Sequence, residues 1–193
     1  GWVDQGFVYI MSTHRIASKA DMKKSKPWVW DVDPLATAAF ASFGINPIPL
    51  SIENVATSLD TGMIDTFYIS PVAAIALQWY RKAKYMVNFP VVDGAGAIVI
   101  SKEFFDTLPA EYQVILETLC GKYLRSLSVK TRKANDAAIL TLQKKGLGIV
   151  DPTPADIKEF EAVGVKASDS MADKLYSKKL LNKVRALLDG QRK

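Results

Sequence analysis

Few residues in the chain could do covalent chemistry. Its 193 residues include one histidine, His14, and one cysteine, Cys120. A lone Cys rules out an intramolecular disulfide and a Cys-type zinc site, and a lone His rules out a multi-histidine metal site. Cys120 stands beside Leu119 in an apolar pattern, the setting of a buried structural thiol. His14 lies in the polar stretch Ser12-Thr13-His14-Arg15. No Gly-x-Gly-x-x-Gly, Walker loop or Gly-x-Ser-x-Gly occurs. Gly94-Ala95-Gly96-Ala97 lacks the Lys-Ser/Thr of a phosphate loop and leads into a strand. Without a nucleophile–base pair the chain is not expected to be an enzyme. Asp31 and Asp33, in Asp31-Val32-Asp33-Pro34, form the one acidic pair that could hold a cation. Calcium wants more oxygens, usually a Gly turn and a distal Glu, and capping a helix explains Asp33. No metal and no cofactor are expected.

Binding chemistry is better represented. Trp28 and Trp30 flank Val29, so in a strand both indoles point to one face. They form either core or a stacking wall for a ligand, since Trp offers large area at low entropy cost. Tyr68-Ile69-Ser70-Pro71 marks the end of a strand and the start of a helix, where open α/β sheets bind ligands. Gln78-Trp79-Tyr80 follows on the next helix, where Trp79 is core or a ligand contact.

The elements that must position these residues can be read in order. Phe7–Met11, Trp28–Trp30, Met63–Ile69, Val91–Val92, Ala97–Ile100 and Leu147–Val150 read as strands, with Asp93–Gly96 a flexible stretch. Asp33-Pro34 opens a helix that Gly44 closes. Asn46–Leu50 must be extended, because each Pro bars helix in the residue before it. Helices follow from Ser51 to Asp60 and from Pro71 through Trp79. Pro109–Lys145 is one long amphipathic pattern, about 55 Å if unbroken, so it either bridges two bodies or kinks. Pro154–Val163 and Ser168–Leu188 read as the last helices. The β-α-β-α order predicts an α/β fold with a largely parallel sheet and helices on both faces.

Composition agrees. Apolar residues make up 49% and charged residues 23%, values that exclude disordered and collagen-like classes. The longest strictly apolar run is Val72–Leu77, far short of the roughly 20 residues of a membrane helix. Lys and Arg total 25 against 20 Asp and Glu. The excess lies in Lys122, Arg125, Lys130, Arg132, Lys133, Lys144 and Lys145, then Lys178, Lys179, Lys183, Arg185, Arg192 and Lys193. These read as the wet faces of amphipathic helices rather than a nucleic-acid surface.

Four segments in fixed order carry a family resemblance. Asp21-Met22-Lys23-Lys24-Ser25-Lys26-Pro27-Trp28-Val29 resembles the Asp-Leu-Lys-Gly-x-Lys-Ile-Arg-Val segment of the TRAP-transporter solute-binding proteins of DctP type. Phe43-Gly44-Ile45-Asn46-Pro47 is similar to a turn of that family, and Glu53–Asp65 to its Glu-Val…Gly-x-x-Asp signature. Ile100-Ser101-Lys102-Glu103-Phe104-Phe105-Asp106-Thr107-Leu108-Pro109-Ala110-Glu111-Tyr112-Gln113 resembles the segment that precedes its long helix.

The resemblance implies a periplasmic-binding-protein-like, two-lobed α/β fold with a hinge and a long lobe-crossing helix. It places residues 4–93 and 134–193 in the second lobe and 94–133 in the first, with the upstream part of the first lobe absent. It implies a periplasmic, extracytoplasmic receptor that binds a small organic molecule and delivers it to a TRAP-type membrane permease, without catalysis, nucleic acid or a membrane span of its own. A sensor or accessory interaction protein that keeps the fold without transport is the alternative.

The departures from the family pattern bear on the ligand. The family's carboxylate-pairing Arg aligns with Trp28, which cannot imitate a guanidinium fork. A second cationic position falls near Val8, the family's Asn at Ile69, and its aromatic at Ile52. Either the ligand is less anionic than the family's organic acids, or its charge is met by Arg15, by the absent lobe, or by helix N-termini near Ser51 and Ser70. The expected pocket residues are Phe7, Trp28, Trp30, Ile52, Tyr68, Ser70 and Trp79.

Overall fold

In a computed structural model, residues 1–191 are described; Arg192 and Lys193 of the basic tail lie outside the described residues. The strands are β1 (Trp2–Ser12), β2 (Trp28–Trp30), β3 (Ile48–Leu50), β4 (Thr66–Ile69), β5 (Tyr85–Ala97) and β6 (Gly148–Val150). The helices are α1 (Lys19–Met22), α2 (Pro34–Phe43), α3 (Val55–Asp60), α4 (Pro71–Ala76), α5 (Lys102–Asp106), α6 (Ala110–Lys144), α7 (Pro154–Met171) and α8 (Lys178–Gln191).

Strand direction departs from the expected pattern at one place. The main sheet has the order β4-β1-β5-β6, and β2 and β3 form a parallel pair. A parallel bridge between Pro27 and Thr66 joins that pair to β4. β5 and β6 are parallel, whereas β1 is antiparallel to both β4 and β5. Five strands thus share one direction, and β1 runs against them through the middle. The reason lies in β5, which leaves alongside the incoming β1 and pairs with it over nearly its whole length, from Ser12↔Tyr85 to Trp2↔Ala97.

β5 is also one continuous strand where two strands around a flexible stretch were expected. Asp93–Gly96 is paired throughout. The glycines there answer to packing: a Cβ on Gly94 would stand 3.2 Å from Gln5 Cβ, and one on Gly96 would stand 3.2 Å from Val3 Cγ1. Small residues in a strand mark such close approach.

Alternation along the strands builds two cores. Met11, Phe67 and Met86 join Val55, Leu59, Ala74 and Leu142 on the face covered by α3, α4 and α6. Ile10 and Val87 join Phe40, Phe43, Phe160 and Val163 on the face covered by α2 and α7. Helices on both faces are therefore observed.

Local signals set the helix ends. Asp33 Oδ1 accepts the Ala36 N–H at 2.9 Å, and Gly44 closes α2 at φ +81°. Thr153 and Asp156 form a reciprocal capping box at the start of α7. α7 runs eight residues beyond its expected end. Its break falls at 172–177, where Asp173 takes φ +61° and its carboxylate accepts the Lys178 N–H. The apolar spacing Phe160, Val163, Ala167 carries α7 through Gly164.

α6 is unbroken over 35 residues, about 52 Å. Its later half buries Asn135, Ala138 and Leu142. In its earlier half Tyr112, Leu116, Leu119, Tyr123 and Leu127 are exposed.

Candidate functional site

The ends of β2 and β4 bring four aromatic rings together. Trp28 stacks on Tyr68 with centroids 5.3 Å apart and planes 24° from parallel. Trp79 meets Trp28 edge-on at 5.4 Å and Phe67 at 5.6 Å. The Trp28 Nε1–H donates to the Leu50 carbonyl at 2.9 Å, so the buried indole leaves no polar atom unpaired. Trp28 and Trp79 are each 3% exposed. Both lie inside the core, behind Tyr68, rather than on an open wall. Trp30 projects from the strand end and is 45% exposed.

Tyr68 joins the two cores, packing against both apolar clusters. Its hydroxyl donates to Asp33 Oδ2 at 2.8 Å and accepts the Trp30 N–H at 3.3 Å. Burial pushes its pKa well above the ordinary value, against the opposing Trp30 bond, and the Asp33 carboxylate adds to the rise. The hydroxyl stays protonated, with its donor direction fixed toward Asp33. Asp33 therefore does two things: it caps α2 and anchors Tyr68. Among the described residues no cluster of acids, His and Cys could hold a metal.

Beside this pair opens a cleft of about 210 Å³ between α2, α7 and the sheet, lined by Asp33, Leu35, Phe40, Tyr68, Val92 and Ser168 among others. Its walls are mainly apolar. Ser70 follows the end of β4 and is partly exposed, and Ile52, which begins the 3-10 turn Ile52–Asn54 before α3, is exposed.

Phe7 stands apart from the aromatic group. It lies on β1 under the Arg132 guanidinium, 4.8 Å from ring centroid to Cζ. Arg132 on α6 bonds Asp4 on β1 through Nε and Asp93 on β5 through Nη2 at 2.8 Å. Asn135, one turn on, donates to the Gln5 carbonyl and accepts the Val72 N–H, each at 3.1 Å. Gly6, at φ +84°, leaves room for that amide. Strand entry, strand exit and long helix are thus stitched together where they cross.

Arg15 does not reach the aromatic group. It follows the far end of β1, where the Thr13 N–H bonds the Asp65 carbonyl at the start of β4. Trp30 and Ser70 stand at the opposite ends of their strands.

Sequence reasoning read Asp33 as a helix cap and half of an acidic pair but missed its bond to Tyr68, and it missed the bridging roles of Arg132 and Asn135. For Asn135 a signal existed: it shares the apolar spacing of Ala138 and Leu142, three and seven residues on. For Arg132 there was none, since its partners lie 128 and 39 residues away.

Comparison with known proteins completes the description. The profile of DctP, described as bacterial extracellular solute-binding protein family 7, matches residues 1–178. A solute-binding protein of Verminephrobacter eiseniae is 21% identical over 187 residues, covering 96% of this chain and 54% of the relative. The 2,3-diketo-L-gulonate-binding periplasmic protein YiaO of Escherichia coli is 30% identical over 141 residues, covering 70% of this chain and 41% of YiaO. The chain thus spans about half the length of these relatives. Among solved structures, a TRAP periplasmic solute-binding protein of Desulfovibrio salexigens with bound orotic acid superposes with TM-score 0.79 at 20% identity, over 88% of this chain and 55% of that one. One of Shewanella oneidensis with bound succinate gives 0.82 at 17%, over 90% and 57%. The fold is therefore that of the two-lobed TRAP receptors, and the family is one of solute-binding proteins rather than enzymes. The chain belongs to the DctP family, the bacterial extracellular solute-binding proteins of family 7.

Proposed function

We propose that the chain is the ligand-binding part of a periplasmic solute receptor that captures a small organic molecule and delivers it to a TRAP-type permease. The observation that carries this reading is the cleft at Asp33 and Tyr68, at the strand ends where α/β folds bind ligands, in a chain of this family. Residues 4–93 and 134–193 would form the second lobe and 94–133 part of the first. Trp30, Ile52, Tyr68 and Ser70 would face the ligand, Trp28 and Trp79 would support Tyr68 from behind, and Phe7 would lie at the hinge. The family's role in capture without catalysis supports a receptor that needs no cofactor, and among the described residues no helix is long and apolar enough to cross a membrane. Closure around a ligand would follow from contacts stronger in the closed state than in the open one.

Native mass spectrometry of the purified protein beside a denatured control tests this. A small extra mass that disappears on denaturation is the expected result. A bare chain, or a complex with another polypeptide, would favour an interaction role over solute capture.

A further inference from the structure

The cleft lies toward one end of the main sheet, and the opposite end is strongly basic. At that end the chain passes between elements through four connections, residues 13–27, 60–65, 81–84 and 144–147. Backbone bonds pin them side by side. The Thr13 N–H donates to the Asp65 carbonyl at 2.9 Å, and the Asp65 N–H to the Lys26 carbonyl at 3.1 Å. The Lys84 N–H donates to the Ser12 carbonyl at 2.8 Å, and the Gly148 N–H to the Lys84 carbonyl at 2.9 Å. Side chains from four separate stretches of sequence are thus presented together.

Their charge is concentrated. The four connections hold ten Lys and Arg against three Asp, an excess of seven, whereas the whole chain has an excess of five. The rest of the molecule is therefore short of cations by two. All ten cations but Lys19 are exposed. The three carboxylates are engaged locally. Asp60 pairs with Lys82, Asp21 closes the capping box of α1, and Asp65 accepts the Lys26 N–H and the Thr66 hydroxyl.

The make-up of this surface points to its partner. Eight of the ten cations are Lys. Protein–protein interfaces are depleted in Lys and enriched in Arg. A compact ammonium on a flexible stem instead suits mobile phosphate headgroups, which clustered Lys and Arg attract. Apolar side chains stand exposed among the cations: Met63 within one connection, and Leu77 beside Arg81 and Lys82. Tyr80 is partly exposed, with the Lys145 ammonium 5.5 Å from its ring centroid. Lys, Tyr and scattered apolar side chains are the residues that lie at a boundary between water and lipid headgroups.

We propose that this basic end docks on a bilayer carrying anionic phospholipid headgroups. The cleft opens toward the other end of the strands, so docking leaves it clear. The inference concerns where the protein resides and does not depend on which solute it takes.

Cosedimentation of the 193-residue chain with vesicles tests it, using phosphatidylcholine alone and phosphatidylcholine mixed equally with phosphatidylglycerol. The chain should bind the anionic vesicles and not the neutral ones, and raising salt from about 0.05 to 0.5 M should weaken binding at least about tenfold. Lys24→Gln, Lys84→Gln and Lys145→Gln together take one exposed cation from each of three connections and should weaken binding at least about tenfold. Lys178→Gln, Lys179→Gln and Lys183→Gln on α8 change the net charge equally and should leave it within about twofold of wild type. Circular dichroism of both triple variants should match the wild type, since all six positions are exposed. Absence of binding to the anionic vesicles would overturn the proposal. So would equal binding to both vesicle types, which would point to the apolar stripe of α6. Equal losses in the two triple variants would overturn it too, since net charge alone would then account for the attraction.

Discussion

Tyr68 shows how one hydroxyl can serve two ends. It donates to Asp33 and accepts from the Trp30 backbone, so Tyr68→Phe removes both bonds, although the exposed Trp30 N–H can turn to water. A loss of about 0.5–1.5 kcal/mol follows, measured by urea unfolding at pH 7. The pKa of Tyr68 is raised by folding above an ordinary value near 10. Its contribution is therefore complete below pH 10 and declines as pH rises toward the folded value. The stability difference between wild type and Tyr68→Phe should shrink between pH 9 and 11; a constant difference would show that the proton plays no part. The two neighbouring tryptophans should separate in the same assay. Trp28→Ala removes a buried ring and should cost about 3–5 kcal/mol, whereas exposed Trp30→Ala should stay within about 0.5 kcal/mol. The alternation of Trp28 and Trp30 placed both on one face, but not their different depths. Depth is set by Tyr68 and Trp79, which arrive from 40 and 51 residues away along the chain.

At the scale of elements, the well-read ones were those whose limits are local. Asp33-Pro34 and Gly44 bound α2 through a side-chain cap and a left-handed residue, both chemical facts of those positions. β5 was misread because its glycines answer to Gln5 and Val3 on another strand, and no local signal distinguishes that from a flexible loop. The reversed direction of β1 was hidden for the same reason. Order along the chain suggests parallel neighbours, but β1 enters through the pair it makes with β5. What fixes that entry is Asn135 on α6. Its amide spans the Gln5 carbonyl of β1 and the Val72 N–H of α4. Asn135→Ala should strand both partners and cost about 1–3 kcal/mol. The amide proton of Val72 reports it directly, and its exchange should accelerate more than that of Val87 in the sheet interior. Equal acceleration at both would mean a general loss of stability rather than a severed link.

On the scale of the whole molecule, protection is distributed unevenly along one helix. The later half of α6 lies on the core: Leu142 is fully buried, with Ala138 and Asn135 beside it. The earlier half carries an apolar stripe of Tyr112, Leu116, Leu119, Tyr123 and Leu127 with its side chains exposed. Intrinsic helix stability in water is marginal over such a length, and most of it in proteins comes from packing an amphipathic face. The two halves share continuous hydrogen bonds but are packed unequally, Leu124 being the one buried side chain of the earlier half, so they should open with different free energies. Hydrogen exchange on the 193-residue chain should find amides 135–144 opening only with the whole fold and amides 112–122 exchanging about a hundredfold faster or more. The amphipathic pattern made this helix visible in the sequence from Pro109 to Lys145, and it did so without distinguishing the halves, because periodicity records which face is apolar and not what covers it. A uniform exchange profile along α6 would mean that the earlier half is held by contacts as strong as those of the core. A step between residues 123 and 135 would locate the boundary where α6 crosses β1 and β5, at the Arg132 pairings with Asp4 and Asp93.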